Sequence, residues 1–136
     1  VLVSEEVSGR VGKGDLGTTF GGGPLACALV EAVIDTIEGE GLLPRVRRLS
    51  ARLQAECLTG PVEAVQGLGF LLGLRTRRPA AQVLAELRAH RILAGESADP
   101  HVVRLLPPLI LEDAHVTTLV DALASLPASS WDALSS

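Results

Sequence analysis

Hydrophobic and polar positions divide the 136-residue chain into a sparse opening stretch and a patterned remainder. Residues 1–23 carry little periodicity and many glycines, Gly9, Gly12, Gly14, Gly17 and Gly21 to Gly23 among them, which predicts an irregular lead-in. Pro24 suits the first position of a helix, where a missing N–H costs nothing, and the apolar run behind it predicts a helix to Ile37. Glu31, Asp35 and Glu38 alone mark a polar side, so this helix is expected to lie sandwiched between other elements. Gly39 and Gly41 stop it. Leu42, Leu43, Val46, Leu49, Leu53 and Cys57 then recur at helical spacing, with Arg45, Arg47, Arg48, Arg52 and Glu56 on the other sides. That pattern predicts a surface helix, ended by Gly60-Pro61.

Val62 to Val65 and Gly67 to Leu74 read as two short strands, the second so apolar that both its faces are expected to be covered. Pro79 restarts a helix through Val83, Leu84 and Leu87. Ile92 to Ala94 and Val102 to Leu106 are candidate strands flanking a Gly-Glu-Ser-Ala-Asp-Pro turn, and Pro107-Pro108 ends the second because neither proline can donate a ladder bond. A last helix uses Val116, Leu119, Val120 and Leu123, with Glu112 and Asp113 suited to its positive end. From Pro127 onward the residues are small and polar, a tail expected to fray. The order of elements predicts a two-layer α+β unit with helices on one sheet face.

Composition narrows the chemistry. Hydrophobic residues make up 47% and charged residues 21%, which excludes disorder as a description of the whole. Aromatics are 2% (Phe20, Phe70, Trp131), too few to stack several bases or sugars. Sixteen acids against twelve bases give a net charge of −4, which disfavours a nucleic-acid or anionic-membrane partner. No uncharged stretch reaches the roughly 20 apolar residues a bilayer span needs. Cys27 and Cys57 form no Cys-x-x-Cys unit and are expected on apolar helix faces, as reduced cytoplasmic cysteines often are.

Three features could carry chemistry. In Gly17-Thr18-Thr19-Phe20-Gly21-Gly22-Gly23-Pro24, two hydroxyls sit in a glycine-rich loop just before a helix N-terminus, where free N–H groups and the helix dipole favour an anion. The alternative is a plain turn whose threonines bond their own backbone. No Gly-Lys-[Ser/Thr] follows, so it is not a Walker loop. Arg104 interrupts the apolar run from Val102 to Ile110 and is either a fork for a carboxylate or an edge-strand arginine facing water. Lys13 is the only lysine, and its Gly12-Lys13-Gly14-Asp15 setting reads as solvated surface rather than a Schiff-base site. His90, His101 and His115 fall on different elements at no metal-ligand spacing, so no metal is expected.

Taken in order, these features resemble the carboxy-terminal third of the class III aminotransferases of the ornithine/acetylornithine type. The stretch Gly14-Asp15-Leu16-Gly17-Thr18-Thr19-Phe20-Gly21-Gly22-Gly23-Pro24-Leu25-Ala26-Cys27 is similar to that family's Gly-x-His-Gly-Thr-Thr-Phe-Gly-Gly-Asn-Pro-Leu-Ala-Cys segment. Val65 to Leu74 resembles its Val-Arg-Gly-x-Gly-Leu-Met-x-Gly strand pair, and Val103-Arg104-Leu105-Leu106-Pro107-Pro108-Leu109 its Ile-Arg-Leu-Leu-Pro-Pro-Leu segment. The likeness runs from about Val1 to Leu126.

The resemblance implies the small C-terminal domain of a fold-type I enzyme, helices on one face of a small, mostly antiparallel sheet. Residues 1–23 would be a lead-in bearing the cofactor-phosphate threonines, 24–126 the small domain and 127–136 the tail. It implies pyridoxal 5'-phosphate as cofactor, Thr19 bonding its phosphate with Thr18 beside it, and Arg104 binding the substrate carboxylate. It also implies a cytoplasmic homodimer with shared active sites, in which Thr19 reaches into the partner's site. The reaction implied moves an amino group from N-acetylornithine to 2-oxoglutarate in arginine biosynthesis; ornithine, succinylornithine and 4-aminobutyrate enzymes share the motifs. The family's Schiff-base lysine would lie upstream of Val1, so the sequence is expected to be a fragment, inactive alone. Leu16 and Gly23 depart from the family's His and Asn. A ligand-binding or regulatory α+β domain without catalysis, or a generic phosphate-binding module, is the alternative reading.

Overall fold

A computed structural model describes residues 3–15 and 17–129. The chain divides after Gly39 into two compact units.

The first unit contains a short helix, α1 (Glu5–Ser8), and a long one, α2 (Pro24–Gly39). The sequence pattern missed α1. Its signal is Ser4, whose Oγ accepts from the Val7 amide at 3.4 Å and so caps an otherwise open first turn. α2 starts at Pro24 as expected, but the expectation that it is sandwiched fails: among its described residues none is buried. Leu25 is 75% exposed and Leu29 58%. Cys27 is exposed on this helix.

The second unit carries a four-stranded antiparallel sheet in the order β1-β2-β4-β3, with strands β1 (Val62–Leu68), β2 (Leu71–Thr76), β3 (Gly95–Glu96) and β4 (Val102–Leu105). Its helices are α3 (Leu42–Glu56), α4 (Ala80–Ala89) and α5 (Asp113–Ser125). Register explains the layering. Leu72 pairs with Leu105 and Leu74 with Val103, and all four are buried together with Leu49 and Leu53 of α3, Val83 and Leu87 of α4, and Val116 and Leu123 of α5. Side chains alternate across a strand, so Leu71, Gly73 and Arg75 take the opposite face. The unit is therefore two-layered, with helices on one face of the sheet.

That alternation corrects the expectation for β2. The strand is exposed at Leu71 and Arg75 and is not covered on both faces; glycine and leucine at adjacent positions hid the period-2 pattern. The hairpin also turns later than expected, at Gly69-Phe70, so Gly67 and Leu68 belong to β1. Gly67 has φ +117, and a Cβ there would stand 2.1 Å from the Leu71 carbonyl oxygen, so this register admits only glycine. A second correction concerns residues 92–94. Ile92 and Ala94 are half-buried and Leu93 is exposed, the alternation of an extended chain, but the ladder bonds form at Gly95–Glu96 instead.

Ion pairs join the helices. Arg48 donates from Nη1 and Nη2 to Oδ1 and Oδ2 of Asp113, each at 2.7 Å, clamping α3 to the start of α5. Arg52 adds bonds to the Asp113 carbonyl at 3.1 Å and to Thr117 Oγ1 at 2.8 Å. Hydrogen bonds and charge from Arg48, then Arg52, hold the Asp113 carboxyl at about 2. Arg78, 2% exposed, is held by Glu86 of α4. Cys57 caps α3 and is buried, which pushes its thiol up to about 11. Among the described residues no helix is long and apolar enough to cross a membrane, and no three His, Cys, Asp or Glu side chains gather as a metal site. The expected tail lies outside the described residues from 130 onward.

Candidate functional site

The two candidate features fall in different units. In the first unit, residues 17–23 form turns and bends that lead into Pro24. Thr18 and Thr19 are both exposed, and neither hydroxyl makes a hydrogen bond among the described residues. The alternative in which they bond their own backbone is therefore not what the loop adopts. The loop is tightly made all the same. A Cβ on Gly21 would stand 2.1 Å from Thr18 Cγ2, and Gly22 has φ +76. The Gly23 carbonyl accepts from the Cys27 amide at 3.0 Å, which starts the α2 ladder and leaves the first-turn amides to outside acceptors. Two uncommitted hydroxyls beside a helix N-terminus have the donor chemistry a phosphate dianion requires. Leu16 lies outside the described residues. Lys13 is exposed, on the solvated surface that its glycine-flanked setting predicts.

In the second unit, Arg104 sits on β4, which has β2 on one side and β3 on the other. It is not an edge-strand arginine. Its neighbours across the sheet are Gly73 and Gly95, so on both sides the open face is bare backbone. The guanidinium lies across Gly95: a Cβ there would stand 3.1 Å from Nη2 and 3.2 Å from Nε. The side chain is exposed and makes no hydrogen bond or ion pair among the described residues. By contrast Arg75, two residues along the same face of β2, is engaged by Glu63 at 3.4 Å and Asp99 at 3.1 Å. A planar five-donor fork over a glycine floor, with nothing to neutralise it, is available to an external carboxylate.

The sequence reading missed one residue here. Arg91 lies past the end of α4 with φ +62, the only non-glycine residue in the left-handed region among those described, and with Arg104 it lines a groove of about 550 Å³. The signal was a helix that stops at Ala89-His90-Arg91 with neither glycine nor proline to stop it.

Residues 1–126 match the family model for class III aminotransferases. The chain belongs to the class III aminotransferases. It is 39% identical over 132 residues to acetylornithine aminotransferase 1 of Bordetella pertussis, covering 93% of this chain and 33% of that protein. It is 46% identical over 117 residues to the acetylornithine aminotransferase of Streptomyces coelicolor, covering 83% of this chain and 29% of that one. Among solved structures, acetylornithine aminotransferase from Elizabethkingia anophelis superposes with a TM-score of 0.72 at 26% identity, over 90% of this chain and 34% of that one. The chain thus spans about a third of the length of the aminotransferases it matches.

Proposed function

We propose that this chain is the carboxy-terminal part of a pyridoxal-phosphate-dependent aminotransferase that moves an amino group from N-acetylornithine to 2-oxoglutarate. The single observation carrying the reading is Arg104, whose guanidinium makes no ion pair among the described residues and lies over Gly95 beside Gly73. Arg104 grips the substrate carboxylate and fixes its orientation. The bare backbone on either side lets a planar acid approach within hydrogen-bond distance. Thr18 and Thr19 donate to the cofactor phosphate at the start of α2, and the glycines let the backbone come close to it. When bound, the cofactor supplies the electron sink for the amino transfer, and an amine other than the exposed Lys13 serves it. The acetylornithine preference is supported by the names of relatives at 39–46% identity. The whole enzyme is a cytoplasmic homodimer with shared sites in this reading.

The test is substitution in the full-length enzyme. Arg104→Ala lowers kcat/KM for both amino acid and 2-oxo acid by about tenfold or more, the scale of losing hydrogen bonds to a charged group. An Arg104→Ala enzyme with wild-type kcat/KM removes the clamp. Thr19→Ala weakens cofactor retention by roughly 1–3 kcal/mol, as expected for one charge-assisted bond, measured by titrating the apoenzyme. Unchanged cofactor affinity there removes the phosphate role.

A further inference from the structure

Helix α5 is preceded by Glu112, an extended residue with φ −118 and ψ 163, and its first turn is closed by an imidazole. His115, three residues on, accepts from the Glu112 amide through Nδ1 at 3.2 Å. The Glu112 carbonyl accepts in return from the His115 amide at 3.1 Å, so the two residues close on each other. Glutamate or glutamine makes the return bond in a capping box, and neither changes charge near neutral pH. Imidazole does, between about pH 5 and pH 8. A ring nitrogen accepts only while it carries no proton, and an imidazolium donates from both nitrogens. The bond from the Glu112 amide therefore belongs to the neutral ring alone.

The closed turn also holds a wall. Residues 106–111 run from the end of β4 to this cap, and Leu106, Pro107, Pro108 and Leu111 line the groove beside Arg104. Neither proline has an amide to donate, so the segment is tied by its ends and by one turn, the Leu111 amide on the Pro108 carbonyl at 3.0 Å. His115 lines the same groove with Arg91 and Arg104. Glu112 and Asp113 stand next to it along the chain, and Arg48 and Arg52 of α3 hold Asp113. Asp113, kept at about 2, stays ionised throughout the range in which imidazole changes charge. A proton on His115 thus removes an acceptor from the positive end of α5 and adds a third cation to the groove.

We propose that His115 is a proton-operated latch: the neutral ring closes the first turn of α5 and fixes the groove wall, and the imidazolium releases both. The latch stands apart from the carboxylate reading of Arg104 and operates whether or not the groove is filled.

The test follows the 136-residue chain by NMR from pH 8 to pH 5. At pH 8 the His115 ring is the Nε2–H tautomer, as an accepting Nδ1 requires. The Glu112 amide shift moves with the same midpoint as the His115 ring protons, and its protection against solvent exchange falls about fivefold, the scale of one helix cap. The amides of Leu106 and Leu111 follow that midpoint as the wall loosens. His115→Gln keeps an acceptor that does not titrate, so the Glu112 amide stays protected and flat with pH, whereas His115→Ala leaves it unprotected throughout. His90→Gln, at the end of α4, leaves the wild-type profile unaltered. An Nδ1–H tautomer, a Glu112 amide indifferent to His115 protonation, or a wild-type titration of that amide in His115→Gln overturns the latch. Flat Leu106 and Leu111 amides beside a titrating Glu112 amide overturn its hold on the groove wall, a separate failure.

Discussion

Helices α2 and α3 are consecutive, similar in length and both carry aliphatic residues, yet they live in opposite conditions. α3 buries Leu42, Leu49 and Leu53 against strands and a second helix, and its polar side is stitched to α5 through Arg48 and Arg52. α2 buries nothing, although apolar residues cover most of its circumference. Apolar character alone therefore does not decide which helix is buried, since the more apolar of the two is the one left open. A helix with one apolar stripe can be satisfied by a single sheet, whereas one apolar on most sides needs neighbours on most sides. The second unit is stabilised by its own contacts. The first carries a surface made for burial without, among the described residues, burying it.

The sharpest way to break this comparison is to truncate a leucine in each helix. Leu49 is fully buried among Leu53, Leu74 and Leu123 in the shared core. Leu49→Ala removes packed methyl groups and leaves a cavity, so unfolding of the second unit becomes easier by about 2–5 kcal/mol. Urea denaturation followed by circular dichroism measures it. A loss under about 1 kcal/mol would mean that the sheet-and-helix core is loosely packed, and the contrast with α2 would fail.

The same contrast decides what could be read from the sequence. α3 was legible because its stripe is narrow: Leu42, Leu49 and Leu53 face inward, although Leu43, expected in the same stripe, is 53% exposed because it lies off that face. The two-layer arrangement followed from strand and helix order for the same reason. The sandwiching of α2 was misjudged because a pattern shows what a helix needs, not whether this chain provides it. β2 was misjudged because Gly73 has no side chain to mark the open face, which is also why Arg104 has room beside it. The threonine loop and Arg104 were legible as residue types in motifs. Arg91 showed only as a helix end without glycine or proline, because its place in the groove depends on a left-handed backbone that no periodicity signals.

A smaller effect separates the units by pH. Hydrogen bonds and charge from Arg48, with Arg52, hold Asp113 at about 2 against an ordinary carboxylate value of 3.8. A backbone hydrogen bond from the His101 amide, then Arg75, lowers Asp99 as well. A carboxyl with a depressed folded-state value stabilises the fold above its unfolded value and loses that contribution as pH falls through the folded one. The second unit should thus weaken between about pH 4 and pH 2, through protonation of these groups. Asp113→Asn removes part of that slope and lowers stability at neutral pH, read from denaturation midpoints across a pH series. Both carboxylates are solvent-exposed, so the effect is modest and diminishes with salt. An unaltered slope in Asp113→Asn would detach the α3–α5 clamp from acid stability.

The smallest expected change is the counterpart of the largest. Leu29 of α2 is exposed, so Leu29→Ala creates no cavity, and alanine is at least as good a helix former as leucine. Stability of the 136-residue chain should move by less than about 0.5 kcal/mol, the range of surface substitutions. What should change is behaviour at high concentration. Leu25, Leu29, Val30, Val33 and Ile34 present one long apolar surface, and surfaces of that kind drive association. Light scattering against concentration should show less self-association for Leu29→Ala than for the wild-type chain, with hydrogen exchange of the α2 amides unaltered. A stability loss near that of Leu49→Ala would place Leu29 in a packed environment, and α2 would then differ from α3 in sequence but not in circumstance.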